Sequence, residues 1–198
     1  DSLWDKYDVS YAVIVTTKHN VMRRIATLLN TDPDWALVFW DDDSQIFVRR
    51  DRKNDGIIEQ FEAKAATPYL RDPYHANQED EAFREYERIN AVAPSARSTN
   101  AIGFLLLQKN RFDEAKTRFL QALELDPTFE SPYMNLAELA AKDGDLQSAI
   151  DLYFKANRRA PDRGLIYIRL GQLIFSQTQD RARVKKIWES GVKNTVDD

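Results

Sequence analysis

Residues 115–127 read AKTRFLQALELDP and residues 149–161 read AIDLYFKANRRAP. Set one over the other, they align Ala115 with Ala149, Phe119 with Tyr153, Ala122 with Ala156 and Pro127 with Pro161, each pair 34 residues apart. The spacing has a packing logic. Small residues at the first and third positions let two helices approach closely, and the aromatic between them fills the space beside the pair. Proline then ends the unit, because it cannot continue a helix. The preceding stretches repeat at the same step: Ile102-Gly103, Leu136-Ala137 and Leu170-Gly171. Gly144 falls in the turn inside the second unit, where a positive φ is favoured. A fixed period of this length marks a stack of helix pairs in which each unit buries its apolar face against the next.

From about residue 96 onward the chain resembles the tetratricopeptide repeat family. The repeats run 96–129, 130–163 and 164–198. The third departs from the pattern. Its first helix keeps Tyr167, Leu170 and Gly171, but its second matches only after one inserted residue, as Val184, Trp188 and Gly191, and no proline closes it. An end unit that must cap the stack is expected to diverge in this way. Upstream, Ala82, Tyr86, Ile89 and Pro94 have nearly the spacing of a second helix. A helix over 78–92 is expected to cap the first repeat. Pro68 and Pro73 interrupt its would-be partner and make 66–77 an irregular link.

The first 65 residues follow another period. Residues 9–17 (VSYAVIVTT) are β-branched and aromatic and read as a strand. Residues 20–30 place apolar side chains at 21, 22, 25, 28 and 29, a helical face. Residues 35–40 (WALVFW) form a continuous apolar run, as in a strand covered on both faces. Asp41-Asp42-Asp43-Ser44 is a polar turn. Residues 45–50 (QIFVRR) alternate and read as its hairpin partner at a sheet edge, and 57–65 as a further helix. The fold expected is mainly α: a helical solenoid of about three tetratricopeptide repeats plus a capping helix, with a small N-terminal α/β domain of order β-α-β-β-α. The divisions are 1–65, 66–95 and 96–198. About sixty residues make a marginal domain alone.

The chain of 198 residues has 43% hydrophobic and 30% charged residues, ordinary for a globular protein. A net charge of −4 and a pI near 5.3 imply no basic face, so nucleic acid is not the expected partner. There is no cysteine, hence no disulfide or thiolate metal site. The two histidines, His19 and His75, lie far apart without a carboxylate cluster at ligand spacing. No apolar run is long enough to span a bilayer, and no signal peptide is visible. The chain opens at Asp1, and a fragment or processed product is expected.

A second resemblance covers the N-terminal half. Strand, helix, W-x-L-V-x-x-D-D, an I-x-V-R strand and then tetratricopeptide repeats are similar to the C-terminal soluble region of bacterial multi-spanning mannosyltransferase-like membrane proteins. The residues concerned are Trp35, Leu37, Val38, Asp41, Asp42, Ile46, Val48 and Arg49. The resemblance implies a membrane-embedded part upstream of Asp1, a periplasmic or extracytoplasmic location, and catalysis in that upstream part.

Asp41-Asp42-Asp43 at a strand end has the form of the Asp-x-Asp that holds a divalent metal and a sugar diphosphate in glycosyltransferases, through Asp41 and Asp43. A hairpin turn explains the same residues, since aspartate favours turn geometry. The forty residues before it are too few for a nucleotide-binding unit. No phosphate-loop signature occurs. The fragment is therefore read as a non-enzyme without cofactor.

The resemblance to tetratricopeptide repeats implies a partner surface on the first helices. Its residues are Arg97, Asn100, Phe104 and Gln108, then Met134, Asn135, Glu138 and Lys142, then Ile168, Arg169, Gln172 and Phe175. Apolar anchors mixed with amides and charges suit an extended peptide or a helix lying in a groove. A carboxylate clamp found in some family members is matched only at Asn135 and Arg169, and is not expected here.

Overall fold

In the computed structural model, residues 8–15, 20–68 and 78–196 are described. The last residues of the expected first strand, positions 69–77 of the expected link, and both histidines lie outside them. The chain divides into two compact units, Asp1–Ile102 and Gly103–Asp198.

The first unit is built on three antiparallel strands: β1 (Tyr11–Val15), β2 (Trp35–Trp40) and β3 (Ser44–Arg49). Helix α1 (Asn20–Thr31) joins β1 to β2, and α2 (Asp55–Phe61) follows a short 3-10 turn at Arg52–Asn54. The sheet order is β1-β3-β2, so β3 is central, not at an edge as its alternating polarity suggested. The reason is Gln45. It is a polar residue yet only 2% exposed, and its side-chain oxygen accepts from the Asn30 amide of α1 at 3.1 Å. A polar position satisfied by a neighbouring helix imitates a solvent-facing one in sequence.

β2 is covered on both faces, with Trp35, Ala36, Leu37, Val38 and Trp40 all buried. A slip in register between Leu37 and Phe39 marks a bulge in this strand. Of the apolar positions of α1, Ala26 and Leu29 are buried, whereas Val21 and Leu28 face solvent. The buried stripe therefore runs through the helix centre.

Helix α3 (Glu79–Val92) also belongs to this unit. The carboxylate of Glu85 accepts the backbone N–H groups of Lys64, Ala65 and Ala66 at 3.1, 2.8 and 2.7 Å. The indole of Trp40 donates to the Ala66 carbonyl at 2.8 Å and meets the Tyr86 ring edge-on, centroids 5.7 Å apart. The expected helix over 57–65 stops at Phe61 because residues 63–66 turn away to meet Glu85.

The second unit is all helical. Helix α4 (Ala96–Gln108) contributes its end from Gly103. It is followed by α5 (Phe112–Leu125), α6 (Glu130–Lys142), α7 (Leu146–Asn157), α8 (Gly164–Thr178) and α9 (Arg181–Val196). Gly144 has φ +84°, as the turn before α7 requires. Asp145 caps α7 by accepting the Ser148 N–H at 3.1 Å. The core runs through Met134, Ala137, Ile150, Tyr153, Ala156, Ile166, Leu170, Ile174 and Val184. Each large apolar side chain fully buried there contributes about 1.5–3 kcal/mol.

Candidate functional site

The period seen in sequence is a period of contacts. The Phe119 ring lies on Gly103 so closely that an added Cβ would stand 2.6 Å from it, and the Trp188 indole lies on Gly171 in the same relation at 2.2 Å. In the middle unit Ala137 and Tyr153 take these places, both buried. The loops repeat as well. Tyr133 donates its hydroxyl to the Pro127 carbonyl at 3.2 Å, and Tyr167 donates to Pro161 at 2.8 Å.

Between α6 and α8, the first helices of adjoining units, lies a cavity of about 450 Å³. Glu138 and Ala141 line it from α6, and Arg169, Gln172, Leu173 and Ser176 from α8. Tyr153 reaches it from α7 as its floor. The tyrosine is 1% exposed. Burial raises its pKa far above the ordinary phenol value, and the charge of Glu138 pushes the same way against the opposing pull of Arg169. Tyr153 therefore keeps its proton at the floor of the cavity, beside the Glu138 carboxylate.

Arg169 Nε stands 3.8 Å from Glu138 Oε1, too far for a direct hydrogen bond, and both side chains are nearly half exposed. Such a pair holds little free energy in water. The guanidinium and the carboxylate thus retain donors and acceptors for a third group that approaches both from the open side of the cavity.

Of the twelve residues singled out in sequence, this cavity brings together Glu138, Arg169 and Gln172. The others are placed differently. Met134 is buried in the core, where its thioether packs inside the repeat. Lys142 stacks its ammonium 3.5 Å from the centroid of the Phe112 ring. Phe175 turns toward α9 and lines a second groove with Trp188. Phe104 is half-buried, Asn135 is half-buried, and Gln108 and Ile168 are exposed. In the first unit, Asn100 is buried and Arg97 is paired with Asp42. Tyr153 and Ser176 line the same cavity and are not among the twelve. The tyrosine was read as packing alone, although its 34-residue match to Phe119 differs by one hydroxyl.

The Asp41–Asp43 segment is engaged by the backbone. Asp41 Oδ1 accepts the N–H groups of Asp43 and Ser44 at 2.9 and 2.7 Å and the Ser44 hydroxyl at 3.0 Å, closing the β2–β3 hairpin. Asp42 accepts the backbone N–H groups of Ala96 and Arg97 at the start of α4. Among the described residues no group of three or more His, Cys, Asp or Glu side chains is placed to hold a metal ion. No helix among them is long and apolar enough to cross a membrane.

A helical solenoid of this geometry is a tetratricopeptide-repeat architecture, and residues 106–173 match the family model described as tetratricopeptide repeat. No curated protein matches the chain. Among solved structures, MamA is similar at 16% identity and a TM-score of 0.51, over 60% of this chain and 69% of its own. PilF from Pseudomonas aeruginosa is similar at 19% and 0.51, over 59% of this chain and 56% of its own. A mutant O-GlcNAc transferase from Thermobaculum terrenum gives 19% and 0.52, over 59% of this chain but 23% of its own. At these identities the likeness is one of fold. The last of these proteins is an enzyme, so the repeat fold by itself assigns no chemistry. None of these likenesses supports the mannosyltransferase-like resemblance of the N-terminal half.

Proposed function

We propose that the chain is a protein-interaction module that holds an extended peptide segment of a partner protein in the cavity between α6 and α8. The observation that carries the reading is the arrangement of Arg169 and Glu138 across that cavity, 3.8 Å apart over a protonated Tyr153. Extended peptides present backbone carbonyls and N–H groups in alternation. Gln172 offers an amide that serves both, and Ser176 a hydroxyl. Arg169 takes an acidic side chain or a carbonyl of the segment, Glu138 takes a donor, and Leu173 with Ala141 receives a small aliphatic side chain. The cavity is polar enough to set register and apolar enough to desolvate one side chain.

The test begins with peptides selected from a random library against the whole chain. A selected peptide titrated into isotopically labelled protein should move the amide and side-chain resonances of Glu138, Arg169, Gln172 and Ser176 together. Shifts confined to other helices would place peptide binding elsewhere and sink this reading.

A further inference from the structure

Helix α8 also lines a second groove. It is formed with α9, has a volume of about 630 Å³, and is lined by Phe175, Val184, Lys185, Trp188 and Val192 beside Arg181. Trp188 is 46% exposed and Val192 64% exposed, although both sit on the apolar side of a helix whose Val184 is buried.

The chain itself shows what such a groove takes. One unit earlier, Ile150 and Tyr153 occupy the positions that Lys185 and Trp188 hold here, once the inserted residue is allowed for. There the groove is filled by a helix: Ile166, Leu170 and Ile174 of α8, spaced i, i+4 and i+8, close over Ile150 and Tyr153 and leave the tyrosine 1% exposed. The last groove has the same floor with an aromatic of equal role, and no described helix covers it. It differs in charge. Lysine stands where isoleucine stood, and α9 carries Arg181, Arg183, Lys185, Lys186 and Lys193 against a single carboxylate, Glu189. Lys185 and Glu189 lie 3.6 Å apart with both side chains largely exposed, a pair too weak to neutralise the rim.

From this we infer that the α8–α9 groove docks an amphipathic helix of a partner. Its aliphatic residues would follow the i, i+4, i+8 spacing over Trp188, and acidic residues beside them would face Lys185 and Arg181. The aliphatic stripe replaces water on Trp188, Phe175 and Val192, and the carboxylates supply the charge that distinguishes this occupant from a further repeat of the same kind. Gln172 lines both this groove and the cavity between α6 and α8, so the two surfaces adjoin, while Arg169 lines only the latter.

The experiment uses the whole chain and two helix-stapled peptides with Ile, Leu and Ile at the spacing of Ile166, Leu170 and Ile174. One is flanked by glutamates and the other by lysines. Binding is followed through the indole N–H resonance of Trp188, assigned with Trp188→Phe. The acidic peptide should shift that resonance with a Kd on the order of 10–100 µM, and the basic peptide should bind at least about tenfold more weakly. Lys185→Glu and Val192→Asp, both at exposed positions, should each weaken the acidic peptide about tenfold without changing the helical circular-dichroism signal. Arg169→Ala should leave its affinity unchanged. Equal binding of the two peptides, or no shift at about 1 mM, overturns the inference. A shift of Trp188 that grows with protein concentration alone would give the groove to a second copy of the chain, and overturns it equally.

Discussion

Asp42 and Arg97 meet at the start of α4 in three ways. The Arg97 backbone N–H donates to Asp42 Oδ1 at 3.2 Å, its guanidinium donates to the same oxygen at 3.2 Å, and to the Asp42 carbonyl at 3.0 Å. The other carboxylate oxygen accepts the Ala96 N–H at 2.8 Å. Ser95 Oγ accepts the Ser98 N–H at 3.1 Å. The unpaired donors of the first turn are thus met by one aspartate from the β2–β3 turn and one serine cap. A negative charge there also favours the helix dipole.

Asp42→Ala should therefore lower stability by about 1–2 kcal/mol, read as a shift in urea midpoint at unchanged slope. Magnesium at about 1 mM should leave the Asp41, Asp42 and Asp43 resonances of the wild type in place, because the carboxylates of Asp41 and Asp42 already serve backbone donors. A saturable response would restore the metal-site explanation of these residues.

Glu85 is the larger case. Its carboxylate serves three consecutive N–H groups in a place 9% exposed. Glu85→Ala strands those donors and should cost about 3 kcal/mol, whereas Glu85→Gln keeps one acceptor and should cost about half as much. Equal losses for the two variants would show that packing, not hydrogen bonding, fixes residues 64–66.

Gly103 and Gly171 offer a matched pair. Alanine at either gains helix propensity, about 1 kcal/mol, but drives a Cβ into an aromatic ring. Phe119 is fully buried and has no room to yield, so Gly103→Ala should destabilise by a net 1–3 kcal/mol, on the order expected for overpacking. Trp188 is half exposed and swings outward. Gly171→Ala should be near neutral in stability and should red-shift the Trp188 emission.

The cap of α7 sets an acid dependence. Hydrogen bonding from Ser148, side chain first and backbone second, holds the Asp145 pKa below its ordinary value. A carboxyl whose pKa is depressed on folding adds stability above its unfolded pKa and loses it as pH falls through the folded value. Asp145→Ala should thus lower Tm at about pH 7, and the gap to wild type should close at about pH 2, where both lack the charge. A gap that stays constant would mean the cap acts through its shape alone.

The repeats were legible because their packing depends on a few residue types at fixed separations. Ala115, Phe119, Ala122 and Pro127 each do one local job and do it again 34 residues later. Glu138, Arg169 and Gln172 were brought to one cavity for the same reason, since position within a helix pair decides which side a residue takes. Met134 was not: it lies beside Asn135 and Glu138 on the same helix, and a turn of the face by one position carries it into the core. Contacts between distant segments left no local pattern. Nothing near Asp42 points to Ala96, and nothing near Glu85 points to Lys64. Gln45 read as an exposed position because its partner Asn30 lies 15 residues away.

Peptide capture in the cavity between α6 and α8, as proposed, turns on Arg169. Calorimetric titration of a selected peptide into wild type, Arg169→Ala and Gln172→Ala tests it most directly. Arg169→Ala should weaken binding about tenfold or more and Gln172→Ala about threefold, with thermal melts unchanged because both side chains are exposed. Affinity within about twofold of wild type for both variants would contradict it.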